Sequence, residues 1–185
     1  MAAPIKITRE AVLEAALELV RQGKPCDARS LAGALGCSTQ PIFRNFSTMQ
    51  ALHLAVLEQA HRRYLGFREA YLAASSLPPY KAMGMAYIGF ARTEPALFRL
   101  LFMRSRAGET DSPERPDWAG DTLQAGKSAE LNGQAAELFH LEMWAVVHGI
   151  AVMLATGYLE LEEETVSEML TDAFQGARLR WEAKK

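Results

Sequence analysis

Between Asp27 and Leu54 the chain reads DARSLAGALGCSTQPIFRNFSTMQALHL, two short apolar-periodic segments parted by a tight turn at Gly36-Cys37-Ser38. Leu31, Ala32 and Leu35 recur at helical spacing behind Asp27, a residue suited to capping a helix N-terminus. Gly36 falls where that helix must stop and where the backbone enters the left-handed region at least cost. Ser38 or Thr39 can cap the next helix, and Pro41 sits in its first turn, where a missing N–H costs little. Ile42 and Phe46, four residues apart, turn to the core with Phe43 beside them. Thr39, Gln40 and Arg44 then face outward. A short helix, a glycine turn and a second short helix with a polar start is a helix-turn-helix pattern, and it points to DNA as the partner. An ordinary helical hairpin is the competing reading.

These residues resemble the DNA-binding domain of TetR-type transcriptional regulators, and the resemblance covers about the first 65 residues. Leu31-Ala32, Gly36 and Ser38 match the family's second helix and turn. Phe43, Arg44 and Phe46 match the end of its recognition helix, and Ala51-Leu52 the start of its fourth helix. The family's usual Tyr is Phe43 here, and the usual Lys before the fourth helix is Met49, so a phosphate-binding hydroxyl and charge are both missing. The resemblance implies a homodimeric, cytoplasmic repressor with a helical C-terminal domain for a small effector. It places Arg29, Ser38, Thr39, Gln40, Pro41, Phe43, Arg44 and Asn45 at the DNA.

Charge is distributed in the same sense. Residues 1 to 66 hold eight Lys/Arg against five Asp/Glu, a net of +3, and the remainder twelve against seventeen, a net of −5. A basic N-terminal part on an acidic body suits a DNA reader joined to a second module. The excess of +3 is modest, and pairing two copies on one duplex would double it.

The rest reads as helix after helix, with no strand-like alternation, so the fold expected is all-α with about nine helices. The first is expected from Thr8 to Gln22, with Ala11, Val12, Ala15 and Leu19 inward. A long fourth helix, about 48–74, would close the 1–48 helix-turn-helix domain with its first half (Leu52, Val56, Leu57). Its second half (Tyr64, Phe67, Tyr71) would pack elsewhere, leaving 75–185 as the effector-binding and dimerisation domain. Helix five runs to about Arg92, and a short sixth from Glu94-Pro95 to about Met103. Arg104 to Asp117, rich in Gly, Ser, Pro and charge, is expected as an exposed mobile loop. A weak helix follows near Asp121–Leu131, interrupted by Gly126, then two long ones near Gln134–Thr156 and Glu162–Ala183. No apolar run is expected to reach the 18 residues that span a bilayer, and no signal peptide is read, so a cytoplasmic protein without membrane contact is expected.

The penultimate helix is apolar almost all round and needs cover on several sides. A two-fold four-helix interface through Leu141, Trp144, Val147, Ala151, Leu154, Leu170, Phe174, Ala177 and Trp181 would supply it, and this is also where the resembled family dimerises. A monomer with a buried central helix is the alternative. Large adaptable side chains suggest an apolar or amphipathic effector held by Met83, Tyr87, Phe90, Phe102, Met103, Trp118, Trp144 and His148, though each also suits a plain core position. The Trp144-x-x-x-His148-Gly149 string resembles one C-terminal domain type among TetR-like regulators.

No enzyme, cofactor or metal is indicated. The chain has no phosphate-cradling glycine loop, nucleophile elbow or HExxH pair. Cys26 and Cys37 lack the partners of a zinc site and read as free thiols. The run Glu160–Glu164 reads as acidic residues at a helix N-terminus. A helical protein-protein adaptor using the same helix-turn-helix surface is the rival from another class, and a cofactor-binding helical enzyme the third.

Overall fold

Capping sets most of the helix boundaries. In the computed structural model, which describes residues 7–105 and 118–183, α1 (Arg9–Arg21) starts after Thr8, whose hydroxyl accepts from the Ala11 amide at 3.2 Å. Helix α2 (Ala28–Leu35) starts after Asp27, whose carboxylate takes the amides of Arg29 and Ser30 at 2.9 and 2.8 Å. It ends on Gly36 at φ 62°, the left-handed stop that the sequence called for. Helix α3 (Gln40–Asn45) follows Thr39, which caps it without a side-chain hydrogen bond; the expected Ser38 or Thr39 hydroxyl cap is absent because the Thr39 backbone is already helical (φ −70°, ψ −18°).

Beyond these, α4 spans Met49–Ala74, α5 Pro79–Thr93, α6 Pro95–Phe102, α7 Trp118–Ala129, α8 Gly133–Ala155 and α9 Glu163–Glu182. All nine elements among the described residues are helices. The stretch expected as a mobile loop, Arg104–Asp117, lies outside the described residues from position 106 onward.

The chain divides into two compact units, Met1–Arg63 with Ala96–Glu114, and Tyr64–Pro95 with Arg115–Lys185. In the first, α1, α2 and α3 pack together over Val12, Ala16, Leu17, Leu31, Ile42 and Phe46, and α4 adds Leu52, Ala55 and Val56. The inward stripe of α1 is Val12, Leu13, Ala16, Leu17 and Leu19 rather than the Ala11, Val12, Ala15, Leu19 expected, because the bulkier Leu13 and Leu17 draw the buried face round to themselves.

In the second unit α8 lies against α5, α7 and α9. Ala125, Ala129, Leu131, Ala136, Phe139 and Met143 form a core cluster, with Tyr80, Phe174 and Trp181 packed on it. Gly126 lies within it because α7 turns tightly into α8: the Leu131 amide donates to the Gly126 carbonyl at 3.0 Å, and a Cβ on Gly126 would stand 2.7 Å from the Leu131 carbonyl oxygen. The glycine that weakened the helical reading is thus what the turn requires.

Among the described residues one helix, α8, is long and apolar enough on average to cross a membrane, which corrects the expectation that no segment reaches that length. Glu137 and Glu142 interrupt it in sequence without lowering the average enough. Phe139, Met143, Ile150, Ala151 and Ala155 of this helix are buried in the unit.

Candidate functional site

The geometry of α3 follows from three anchors. Ile42 and Phe46 are buried, 0% and 3% exposed, so the helix cannot roll. Asn45 fixes its end: the side-chain amide donates to the Ile7 carbonyl at 3.2 Å and the Pro41 carbonyl at 2.9 Å. Arg9 stacks its guanidinium 4.3 Å from the Phe46 ring centroid. What remains on the surface is Ser38, Gln40, Phe43 and Arg44, with Thr39 and Pro41 half-buried and Arg29 exposed at the start of α2. Asn45, grouped with these by sequence, faces inward and uses both amide protons on backbone carbonyls. Phe43 is 46% exposed, an aromatic face left bare beside Arg44.

In the second unit, two tyrosine–histidine pairs join α5 to α8. The Tyr80 hydroxyl meets His140 Nδ1 at 2.9 Å, and the Tyr87 hydroxyl meets His148 Nδ1 at 2.9 Å. Indoles fill the space between the pairs. Trp118 makes T-shaped contacts with His140 at 4.6 Å and with Trp144 at 6.0 Å between ring centroids, and Trp144 lies parallel to His148 at 4.8 Å. Burial pushes both imidazoles below the ordinary histidine value. Burial likewise pushes the Tyr64 hydroxyl up to about 12, and it raises Tyr80, with the Asp121 carboxylate adding to each. Asp121 is itself paired with Arg68 at 2.9 Å, linking α7 to α4.

Of the eight residues expected to hold an effector, the structure gathers Tyr87, Trp118, Trp144 and His148 into this cluster. Phe90 is core, against Tyr64 and Phe67 at 5.2 and 5.7 Å. Met83 is half-buried on α5. Phe102 and Met103 belong to the first unit, Phe102 against Phe98 at 5.1 Å. A separate cleft of about 460 Å³ opens among Tyr71, Ser75, Ser76, Leu77, Met85, Glu163 and Glu164, and none of the eight lines it.

The residues expected at a dimer interface divide as well. Ala151 and Leu170 are 0% and 3% exposed within the single chain, so they offer a partner no surface. Their face of the two helices is already covered by α5 and by each other. Phe174, Ala177 and Trp181 pack on the chain's own core cluster. Trp144, Val147 and Leu154 are half-buried, whereas Leu141 is 46% exposed, with Leu138 at 41% one turn away.

Both Cys26 and Cys37 are free and half-buried, and burial raises the Cys26 thiol. Among the described residues no group of three or more His, Cys, Asp or Glu side chains is placed to hold a metal ion.

Residues 80–174, just over half of the chain, match the C-terminal domain of tetracyclin repressor-like proteins. The chain belongs to the TetR family. Two solved structures share this TetR fold. One is a protein assigned as a transcriptional regulator from Pseudomonas aeruginosa PAO1, with a TM-score of 0.68 at 13% identity over 92% of this chain and 90% of that one. The other is the multidrug binding protein EbrR complexed with imidazole, with a TM-score of 0.56 at 19% identity over 92% and 96%. A search of curated proteins found no match. Within the TetR domain, Tyr80 and His140 escaped the sequence reading. The available signal was a second Tyr and a second His, each about two helical turns before Tyr87 and His148.

Proposed function

We propose that this TetR-family regulator is a homodimeric repressor that binds a near-palindromic operator through α3 and releases it when a small molecule occupies the C-terminal unit. One observation carries the first half: Gln40, Phe43 and Arg44 are exposed on a helix whose other face is locked by Ile42, Phe46 and Asn45. A rigid short helix with an amide, a ring and a guanidinium outward suits a major groove about 12 Å wide. Gln40 reads a base edge, Arg44 a phosphate or guanine, and Phe43 thymine methyls.

Dimerisation uses the surface left on α8 and α9, namely Leu138 and Leu141 with Met169 and Leu179, all between 38% and 64% exposed. Pairing supplies the second reading head and doubles the modest positive charge at the DNA. The effector reading is supported by the aromatic–histidine cluster and by a fold neighbour solved with a small molecule bound. Release is a population shift, and it requires a ligand that prefers the DNA-free state. Cytoplasmic residence goes with this role.

Fluorescence anisotropy on duplex from upstream of the protein's own gene, titrated with salt and against a scrambled duplex, tests the reading. Tight binding to the native duplex alone, weakening steeply with salt, is the expected result. Equal weak binding to both duplexes removes operator specificity, and no binding at low salt transfers α3 to a protein-protein adaptor role.

A further inference from the structure

His140 is 5% exposed, and its Nε2 is buried without a hydrogen-bond partner. The other ring nitrogen identifies what Nε2 is. Tyr80 has one hydrogen-bond partner, His140 Nδ1 at 2.9 Å. A phenol protonated at all working pH values is a better donor than acceptor, so the hydroxyl donates and Nδ1 accepts. The imidazole proton is then on Nε2, which makes this atom an unused donor in a dry place. Leaving such a group unpaired there is destabilising, so a ligand acceptor that meets it relieves a cost. Beside it stands Trp118, in T-shaped contact at 4.6 Å and 37% exposed, so the ring that covers His140 is also in contact with solvent. Thr122 lies one turn along the same helix, and its hydroxyl is a second buried polar atom without a partner.

Resting on the effector reading above, we propose that His140 Nε2–H is the anchor for an uncharged, flat, apolar effector carrying one hydrogen-bond acceptor, of the aryl-carbonyl type. The ligand enters beside Trp118, lays its ring among the indoles, and accepts from His140. Charge complementarity sets the class. Arg68 and Asp121 neutralise each other at 2.9 Å, and Arg180 is paired with Glu142 at 2.6 Å. Among the described residues these cations and carboxylates are already paired with each other, which favours an uncharged ligand over an ionic one. Burial disfavours a charge on the imidazole itself.

The test uses the full chain and two molecules of one shape, acetophenone and α-methylstyrene, in which C=O is replaced by C=CH2. Binding is followed by quenching of tryptophan fluorescence, and the His140 tautomer by imidazole nitrogen NMR. Acetophenone is expected to bind about tenfold more tightly, the margin of one neutral hydrogen bond. His140→Phe removes the margin, and His140→Gln, which keeps an N–H at the same place, restores it; melting curves check that both variants are folded. Equal affinities in the unaltered protein, an undiminished margin in His140→Phe, binding of neither molecule, or a proton found on Nδ1 would each overturn the proposal. So would a long-lived water on Nε2 that saturating acetophenone leaves in place. A compound with no hydrogen-bond acceptor that still releases DNA sinks this proposal alone. Tight acetophenone binding that leaves DNA affinity unchanged sinks the effector reading and spares the site.

Discussion

The indole of Trp144 lies face to face with the imidazole of His148, centroids 4.8 Å apart and planes inclined by 8°, while Tyr87 holds that imidazole at Nδ1. Stacking this close keeps water off one face of the ring. Together with the Tyr80–His140 pair it makes the second unit a place where burial disfavours the protonation of two imidazoles.

That arrangement gives a pH dependence of defined sign. Both histidines are depressed by burial, so the unfolded chain takes up protons before the folded one as pH falls. Their contribution is complete above the unfolded value near 6.5 and declines as pH drops from there toward the folded values. The melting temperature is expected to fall between pH 7.5 and 5.5, as the unfolding free energy declines by at most about 1.4 kcal/mol per pH unit for each histidine. Thermal melts of His140→Gln/His148→Gln should show a flatter profile over the same interval, and an unchanged slope would exclude both rings as its source.

Gly126→Ala should destabilise the chain although alanine is the better helix former. A Cβ 2.7 Å from the Leu131 carbonyl oxygen meets backbone rather than a flexible side-chain end, so the α7–α8 turn must shift. The expected loss is about 1–3 kcal/mol, read from urea unfolding. A gain in stability would show that the turn can open without cost.

Asn45→Ala and Gln40→Ala separate folding from reading on one short helix. The first removes two hydrogen bonds that tie α3 to Ile7 and Pro41, and should cost about 1–2 kcal/mol. The second removes an exposed amide and should leave the melting temperature within about 2 °C, because surface changes rarely exceed about 0.5 kcal/mol. In anisotropy titrations Gln40→Ala narrows the gap between native and scrambled duplex, and Arg44→Ala weakens both alike. If Gln40→Ala leaves that gap untouched, α3 does not read the bases.

Leu141→Arg places a charge on the apolar patch of α8 without touching the core. Sedimentation is expected to move from dimer to monomer over a range of concentrations. Operator affinity should drop by about a hundredfold or more as the second reading head is lost. An unaltered sedimentation coefficient would exclude this patch as the interface.

The local parts of this fold were legible in sequence, for reasons that act within a few residues. Thr8, Asp27 and Gly36 mark helix ends through hydrogen bonds and a backbone angle that depend on neighbours alone. Ile42 and Phe46 show their burial by spacing. Asn45 did not, since its acceptor Ile7 lies 38 residues away. The pairing of Tyr80 with His140 spans 60 residues and leaves no periodic trace. What covers α8 was not legible for a related reason: periodicity tells that it needs cover, but not that α5, α7 and α9 of the same chain already lie on it and leave Ala151 buried.

Helix α8 also imposes an order on synthesis. It leaves the ribosome before α9, and α9 is one of the helices that cover it. At ordinary translation speed the gap is roughly a few seconds, during which a segment apolar enough to enter a bilayer is still missing part of its shield. Slow codons between Thr156 and Glu163 would lengthen that exposure, and a message truncated there would yield a product prone to stick to membranes and chaperones.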